Sequence, residues 1–296
     1  MTQRAPNVTA ALLWMSGSLI SFSLVAISGR GAHAAGVDTM HLMMLRSVVA
    51  LVVLALVQPL TARGFRQLWT RTPALHGLRN LLHFGAQYSW FTALSLISLA
   101  QLFALEFTAP LWVAILAPLF LSEKLTAPRI AAAAIGFVGV LVVVRPTSAG
   151  LGDGAIYALL AALGFASSMV VTRALVRNDT VLCFLFHMAW SQALLAALLL
   201  GGRIMLPSME GLFWCTMVGL AGLAAHFSLA RAFVHADAII VAPMDFLRLP
   251  LIAIVGIAFY GEPFDAIVFL GGGIVVLANL INIWFESRRR RAATTA

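Results

Sequence analysis

The sequence predicts an all-α membrane protein whose ten transmembrane helices form two five-helix repeats of inverted topology. Hydrophobic residues make up 61% of the 296 residues and charged residues only 10%, whereas a soluble domain carries about 25% charged residues. Apolar runs long enough to cross a bilayer recur along the chain. Short motifs of the first half also return in the second half at a nearly constant spacing.

The chain divides into ten candidate spans when it is cut at polar breaks and at breaks that contain Gly or Pro. Each span is close to the roughly 20 residues that a bilayer core requires. We interpret the first run as a retained helix, because it is too long for a signal peptide and similar spans follow at once. The spans are 10–29, 39–60, 74–94, 98–121, 127–145, 153–175, 180–201, 210–233, 238–259 and 264–285.

The basic residues predict the orientation of these spans. Twelve of them flank the side of the N-terminus and three flank the opposite side. Because cytoplasmic loops carry an excess of Lys and Arg, both termini are expected in the cytoplasm. The run Arg288–Arg291 is then the last anchor of this kind rather than a nucleic-acid site.

Four matches in similar register indicate an internal duplication. LEFTAP returns as MDFLRLP, so that Asp245 follows Glu106 by 139 positions. Two further matches keep this spacing, and they pair Ser89 with Ser228 and Glu123 with Glu262. SFSLVAISGR resembles GFASSMVVTR at a spacing of 143. A longer second loop in the first half explains the difference in spacing.

The duplication predicts how the two halves are arranged. A unit of five spans is odd, so the repeats 1–147 and 148–296 must cross the bilayer in opposite senses. Glu106 and Asp245 would then lie on opposite sides of the midplane and flank a shared centre. This is the geometry of alternating access, with the two repeats forming one transmembrane domain.

The layout resembles a known family. It is similar to the drug/metabolite transporter superfamily, EamA-type branch, in three features. The chain has five plus five spans, and the fourth span of each half contains an acidic residue followed four or five positions later by proline. A glutamate ends that span. Within this superfamily, the chain is similar to bacterial inner-membrane exporters of amino acids, including aromatic ones. The resemblance implies a multi-pass inner-membrane protein that exports a small metabolite and needs no cofactor.

Two acids within spans are the first candidate site residues. An ionised side chain at mid-membrane costs about 2.5–3.5 kcal/mol, so it usually faces a partner or water. Glu106 could bind a substrate ammonium or a proton, or it could be a structural ion pair or a protonated acid. Asp245 precedes Arg248 by three residues, which favours a local ion pair over direct substrate contact.

Two prolines follow these acids and are further candidates. Pro110 and Pro250 each remove a backbone hydrogen bond, which would free a carbonyl for substrate and bend the helix. A kink that serves packing alone is the alternative.

A polar and aromatic stripe in the third span completes the predicted site. His83, Gln87 and Trp90 fall at i, i+4 and i+7, Asn80 extends the stripe, and His226 aligns with Gln87 in the second half. Such a stripe would be costly against lipid and should face the core. It could line a substrate pocket, or it could form hydrogen bonds between helices.

Other functions are weaker on sequence grounds. The chain lacks the motifs of zinc peptidases, serine hydrolases and P-loop nucleotide binding, and Cys183 and Cys215 have no metal-like spacing, so neither an enzyme nor a metal site is expected. A channel or an exporter of drugs or other metabolites remains open. The small-residue runs AAAAIGFVG and LGGGI could bring helices into close contact within the chain or in a homodimer.

Overall fold

The computed structural model describes residues 7–61, 64–121, 127–145, 151–175, 179–236, 241 and 244–294. Regular structure in these ranges is helical throughout, which confirms the predicted fold class. Two short 3₁₀ turns, Gln58–Leu60 and Gly64–Leu68, connect the second and third helices. The α-helices are α1 Val8–Ala34, α2 Thr39–Val57, α3 Pro73–Leu96, α4 Leu99–Glu106, α5 Ala109–Leu121, α6 Ala127–Val144, α7 Asp153–Leu175, α8 Val181–Leu200, α9 Met209–His235, α10 Arg248–Tyr260 and α11 Ala266–Thr294.

Within the described ranges, seven segments are long and apolar enough to cross a membrane. The apolar helices Ile130–Val144 and Arg248–Tyr260 are shorter, and α3, which carries the polar stripe, completes the ten spans. The observed helices therefore follow the predicted spans closely. Two spans differ: the fourth consists of two helices, α4 and α5, and the ninth contains a turn before α10.

The packing of the helices has the symmetry of a two-repeat fold. Helix α1 packs against α9, and α3 packs against α7, so the first span of each half lies on the third span of the other. The remaining equivalent spans pack together as the pairs α2 with α8, α4 with α10, and α6 with α11. The division between residues 147 and 148 lies outside the described residues and stays a proposal.

The fourth and ninth spans are interrupted at equivalent positions. Turns at Phe107 and Thr108 separate α4 from α5. Turns at Phe246 and Leu247, each 139 positions after its equivalent in the first half, precede α10. The rings of Phe107 and Phe246 contact each other with their centroids 5.1 Å apart. The two breaks therefore meet in the interior of the molecule.

The prolines do not cause the breaks in the way that the sequence predicts. Pro110 and Pro250 lie in the first turns of α5 and α10, after the breaks. The first N–H groups of a helix have no intrahelical partner, so proline removes nothing at these positions. The carbonyl of Phe107, at the break itself, accepts a 2.8 Å hydrogen bond from the buried side-chain amide of Asn279.

Orientation in the membrane gives a prediction that the fold alone does not test. Because of the excess of basic residues beside it, we expect the C-terminus in the cytoplasm. A C-terminal green fluorescent protein fusion should fluoresce, and the matched alkaline phosphatase fusion should be inactive. Active phosphatase without fluorescence would reverse the topology.

Candidate functional site

Two polar groups of side chains lie in the interior, and α3 contributes to both. We call the first the arginine–histidine cluster and the second the acid cluster. The arginine–histidine cluster comprises Arg46, Arg79, His83, Gln87, Gln192 and His226. The acid cluster comprises Trp90, Glu106, Asp245 and Arg248. The four positions 79, 83, 87 and 90 follow one face of α3, because residues three and four apart are neighbours on a helix.

The acid cluster is organised around Arg248 at the start of α10. Its guanidinium donates to Glu106 Oε1 at 3.3 Å and also pairs with Asp245. Trp90 Nε1 donates to the other oxygen of Glu106 at 2.7 Å. The Phe22 ring covers the guanidinium, with the Arg248 Cζ 4.2 Å from its centroid. Both acids are therefore already occupied by partners from this chain.

The geometry brings the two acids to one group. Glu106 and Asp245 both pair with the guanidinium of Arg248, and their placement on opposite sides of the midplane stays a prediction. Asp245 forms the local ion pair with Arg248 that its spacing favours. Glu106 has the structural ion pair that the sequence left as the alternative to ammonium binding.

Arg46 of α2 is the centre of the arginine–histidine cluster. It is buried, and its Nη1 donates to Gln87 Oε1 at 2.6 Å and to Gln192 Oε1 at 3.0 Å. Gln87 thus contacts another helix, as one interpretation of the stripe predicts. Neither of these partners carries a charge, and the guanidinium also lies 5.8 Å from the centroid of the Phe91 ring.

Arg79 of α3 is equally buried and also has a neutral partner. Its Nη1 donates to Asn80 Oδ1 at 3.0 Å, and its Cζ lies 4.1 Å from the centroid of the Phe184 ring. Asn80 in turn donates to the carbonyl of His187 at 2.8 Å. Among the described residues, Arg46 and Arg79 form no ion pair with an acid.

His83 of α3 and His226 of α9 contact each other in this cluster. Their ring centroids are 6.0 Å apart, and Phe165 lies 5.3 Å from His83 and Phe22 lies 5.4 Å from His226. His83 is buried, and neither of its ring nitrogens has a hydrogen-bond partner in the described part of the chain.

A different ion pair connects α1 with the segment that follows α10. Arg30 of α1 pairs with Glu262, which follows α10, and it also donates to the carbonyls of Leu94 and Ile97. Glu262 accepts from the backbone N–H of Leu99, so the pair connects four spans, through α1, α3, α4 and the end of α10. The repeat equivalent of Glu262, Glu123, lies outside the described residues.

A smaller polar group lies where α3 and α8 begin. His76 Nε2 lies 2.8 Å from Asp179 Oδ2, and Thr70 donates to the same oxygen at 2.9 Å. Cys183 is close enough that one potential metal-ligating atom from each of Cys183, His76 and Asp179 lies within 4.8 Å of the others. The sequence did not associate His76 with Asp179 and Cys183, because His76 lies in the third span and the other two lie at the start of the seventh.

The structure places the predicted stripe inside the molecule but divides it between two groups. His83 and Gln87 lie in the arginine–histidine cluster, while Trp90 belongs to the acid cluster with Glu106, Asp245 and Arg248. The predicted site omits several residues of the interior clusters, although each polar one is a charged or amide residue within an apolar span. The residues that it left out are Arg46, Arg79 and Gln192, together with the rings Phe22 and Phe165.

Helices that pack with two-repeat symmetry around an interior polar site define a polytopic membrane transport protein. A model of the EamA-like transporter family matches residues 9–145. A riboflavin transporter of Rhizobium johnstonii is 30% identical over 231 residues, which cover 77% of this chain and 76% of that protein. The protein therefore belongs to the EamA-like transporter family.

Two other comparisons agree with this assignment. An S-adenosylmethionine uptake transporter of Rickettsia bellii is 28% identical over 225 residues, covering 76% of this chain and 77% of that protein. A crystal structure with a TM-score of 0.64 covers 95% of this chain and 98% of its own, and at 18% identity it shows the fold alone. The two relatives are a riboflavin transporter and an uptake transporter, so the expected resemblance to amino-acid exporters receives no support from them.

Proposed function

We propose that the protein is a secondary carrier of the inner membrane that moves a small metabolite with a flat nitrogen-containing ring by alternating access. The observation that carries this proposal is the arginine–histidine cluster, where flat side chains and unpartnered polar atoms from several helices converge. A ring can stack or pack edge-on against imidazole and phenyl groups. The chain lacks the P-loop motif, so the proposal includes no direct use of ATP.

The names of the relatives support this substrate class. Riboflavin and S-adenosylmethionine, which the names of the relatives give, both carry a nitrogen heterocycle. Glu106, the predicted counterpart of a substrate ammonium, already accepts from Arg248 and Trp90. The acid cluster therefore serves as a joint between the two interrupted spans, and the arginine–histidine cluster serves as the binding site.

Counterflow into proteoliposomes tests the carrier function without assuming a direction. Vesicles would be loaded with unlabelled riboflavin, S-adenosylmethionine or tryptophan, and entry of the labelled compound would be followed. Saturable uptake that depends on the internal compound indicates a carrier. Unsaturable flux would indicate a channel, and absence of exchange for all heterocycles would contradict the proposal.

His83→Leu separates a binding role from a structural one. A buried polar atom without a partner costs about 1–3 kcal/mol, so leucine of similar size should leave the thermal unfolding midpoint unchanged or raise it. If His83 contacts substrate, the same variant should lose about tenfold or more in counterflow, the loss of one good hydrogen bond. Wild-type flux in a stable His83→Leu protein would remove His83 from the site.

A further inference from the structure

We propose that the substrate carries a negatively charged group, a carboxylate or a phosphate, and that Arg46 and Arg79 bind it beside His83. This inference rests on the proposed carrier function and specifies the substrate class of its site. It differs from the expectation of a bound ammonium, which would meet two guanidinium groups here.

The hydrogen-bonding groups of the cluster show an excess of donors. Arg46 Nε, Arg79 Nε and Gln192 Nε2 are buried without an acceptor among the described residues. Each of these atoms can only donate. His83 has two further unpartnered nitrogens, of which at least one carries a hydrogen. The complementary ligand is therefore rich in acceptors, as carboxylate and phosphate oxygens are.

The charges lead to the same conclusion. Buried charges in proteins are normally paired, because an uncompensated ion loses its hydration. In this chain Arg30, Arg145 and Arg248 each contact an acid. Arg46 and Arg79 contact only neutral oxygens and aromatic faces within the described ranges, although each is at most 6% exposed. An anionic substrate would supply the missing countercharge.

The rings around the cluster identify the rest of the ligand. His83 contacts Phe165, His226 contacts Phe22, and the two imidazoles contact each other, so four rings meet at one place. Planar groups prefer such offset or edge-to-face contacts. A flat ring that carries a carboxylate or phosphate would satisfy both the aromatic and the cationic parts of the cluster.

Binding to the purified protein tests the inference with two matched pairs of probes. Riboflavin 5′-phosphate against riboflavin tests the phosphate, and indole-3-acetate against indole-3-acetamide tests the carboxylate. We expect the anion of at least one pair to bind about tenfold or more tightly than its neutral partner, as charge-assisted hydrogen bonds predict. If neither anion binds more tightly, the inference is wrong.

Charge-removing and charge-keeping variants assign the preference to the two arginines. Arg46→Gln and Arg79→Gln should reduce the ratio between anion and neutral probe to near one, and Arg46→Lys and Arg79→Lys should retain most of it. Arg145→Gln removes an exposed arginine and should leave the ratio unchanged. A ratio that persists in the Gln variants, or that is lost in the Lys variants together with all anion binding, overturns the assignment.

The same probes distinguish this inference from the carrier proposal. Saturable counterflow of neutral rings without anion preference would leave the carrier function standing and refute the anionic group. Arginine-dependent anion binding without any counterflow would support the anionic group and refute the carrier function.

Discussion

Replacing Arg248 by methionine is expected to destabilise the protein strongly, and far more than the loss of an exposed ion pair would. The substitution leaves Glu106 and Asp245 without their shared guanidinium, which belongs to a residue only 4% exposed. Removing one partner of a buried ion pair typically costs about 3–5 kcal/mol, because the remaining charge is uncompensated. The measurement is the midpoint of thermal unfolding in detergent micelles, together with the yield of folded protein.

Two further variants show whether charge is the cause. Adding Glu106→Gln and Asp245→Asn to Arg248→Met removes the stranded charges, so most of the lost stability should return. Arg145→Met provides the matched control, because the Arg145–Asp265 pair is exposed and such pairs contribute at most about 1 kcal/mol. If the triple variant is no more stable than Arg248→Met, packing of the guanidinium against Phe22 carries the effect instead.

The exposed Arg145–Asp265 pair also affects the pKa of Asp265, which lies directly before α11. Burial would raise the pKa of Asp265, but hydrogen bonds from Arg145 and from the backbone N–H of Ile267 and Val268 outweigh it and lower this pKa. Arg145→Met should therefore move the Asp265 pKa back toward its ordinary value without unfolding the protein, which a pH titration of the Asp265 carboxyl by NMR would measure.

Gly139→Ala is the second change from which we expect a large loss of stability. A Cβ at Gly139 would lie 2.8 Å from the carbonyl oxygen of Gly271, and the reciprocal distance is 2.7 Å. The obstacle is backbone, so α6 and α11 would have to move apart along their contact. Overpacking of this kind costs about 1–3 kcal/mol, and thermal unfolding in micelles would measure it.

Gly273→Ala is the matched control on the same pair of helices. A Cβ there meets nothing within 4 Å, and alanine favours a helix over glycine by about 1 kcal/mol. This variant should be as stable as the wild type or slightly more so. Equal losses at Gly139 and Gly273 would contradict the close helix contact, whereas opposite signs would establish it.

Much of the fold was predictable because it depends on local composition. Apolar length determines which segments can cross a bilayer, and outside the fourth and ninth spans each prediction corresponds to a single described helix or to part of one. The 139-residue register of Glu106 with Asp245 also locates the two helix breaks, since both follow the acids directly. The cause of the breaks was less accessible, because Pro110 and Pro250 lie in the first turns of the helices that follow the breaks, where proline removes no intrahelical hydrogen bond.

By itself the sequence determined the class of protein, its number of spans and the presence of buried charges that need partners, and it predicts the inverted arrangement of the repeats. Hydropathy and repeat register contain this information, because hydropathy depends on residues that are close together in the chain and repeat register depends on residues at a constant spacing. Only the tertiary structure decided which partners those charges have. It joined Glu106 and Asp245 to Arg248 and left Arg46 and Arg79 without an acid in the described chain. Pairing between helices depends on how they are rotated and packed, and side chains from α2, α3, α8 and α9 meet only after that packing forms.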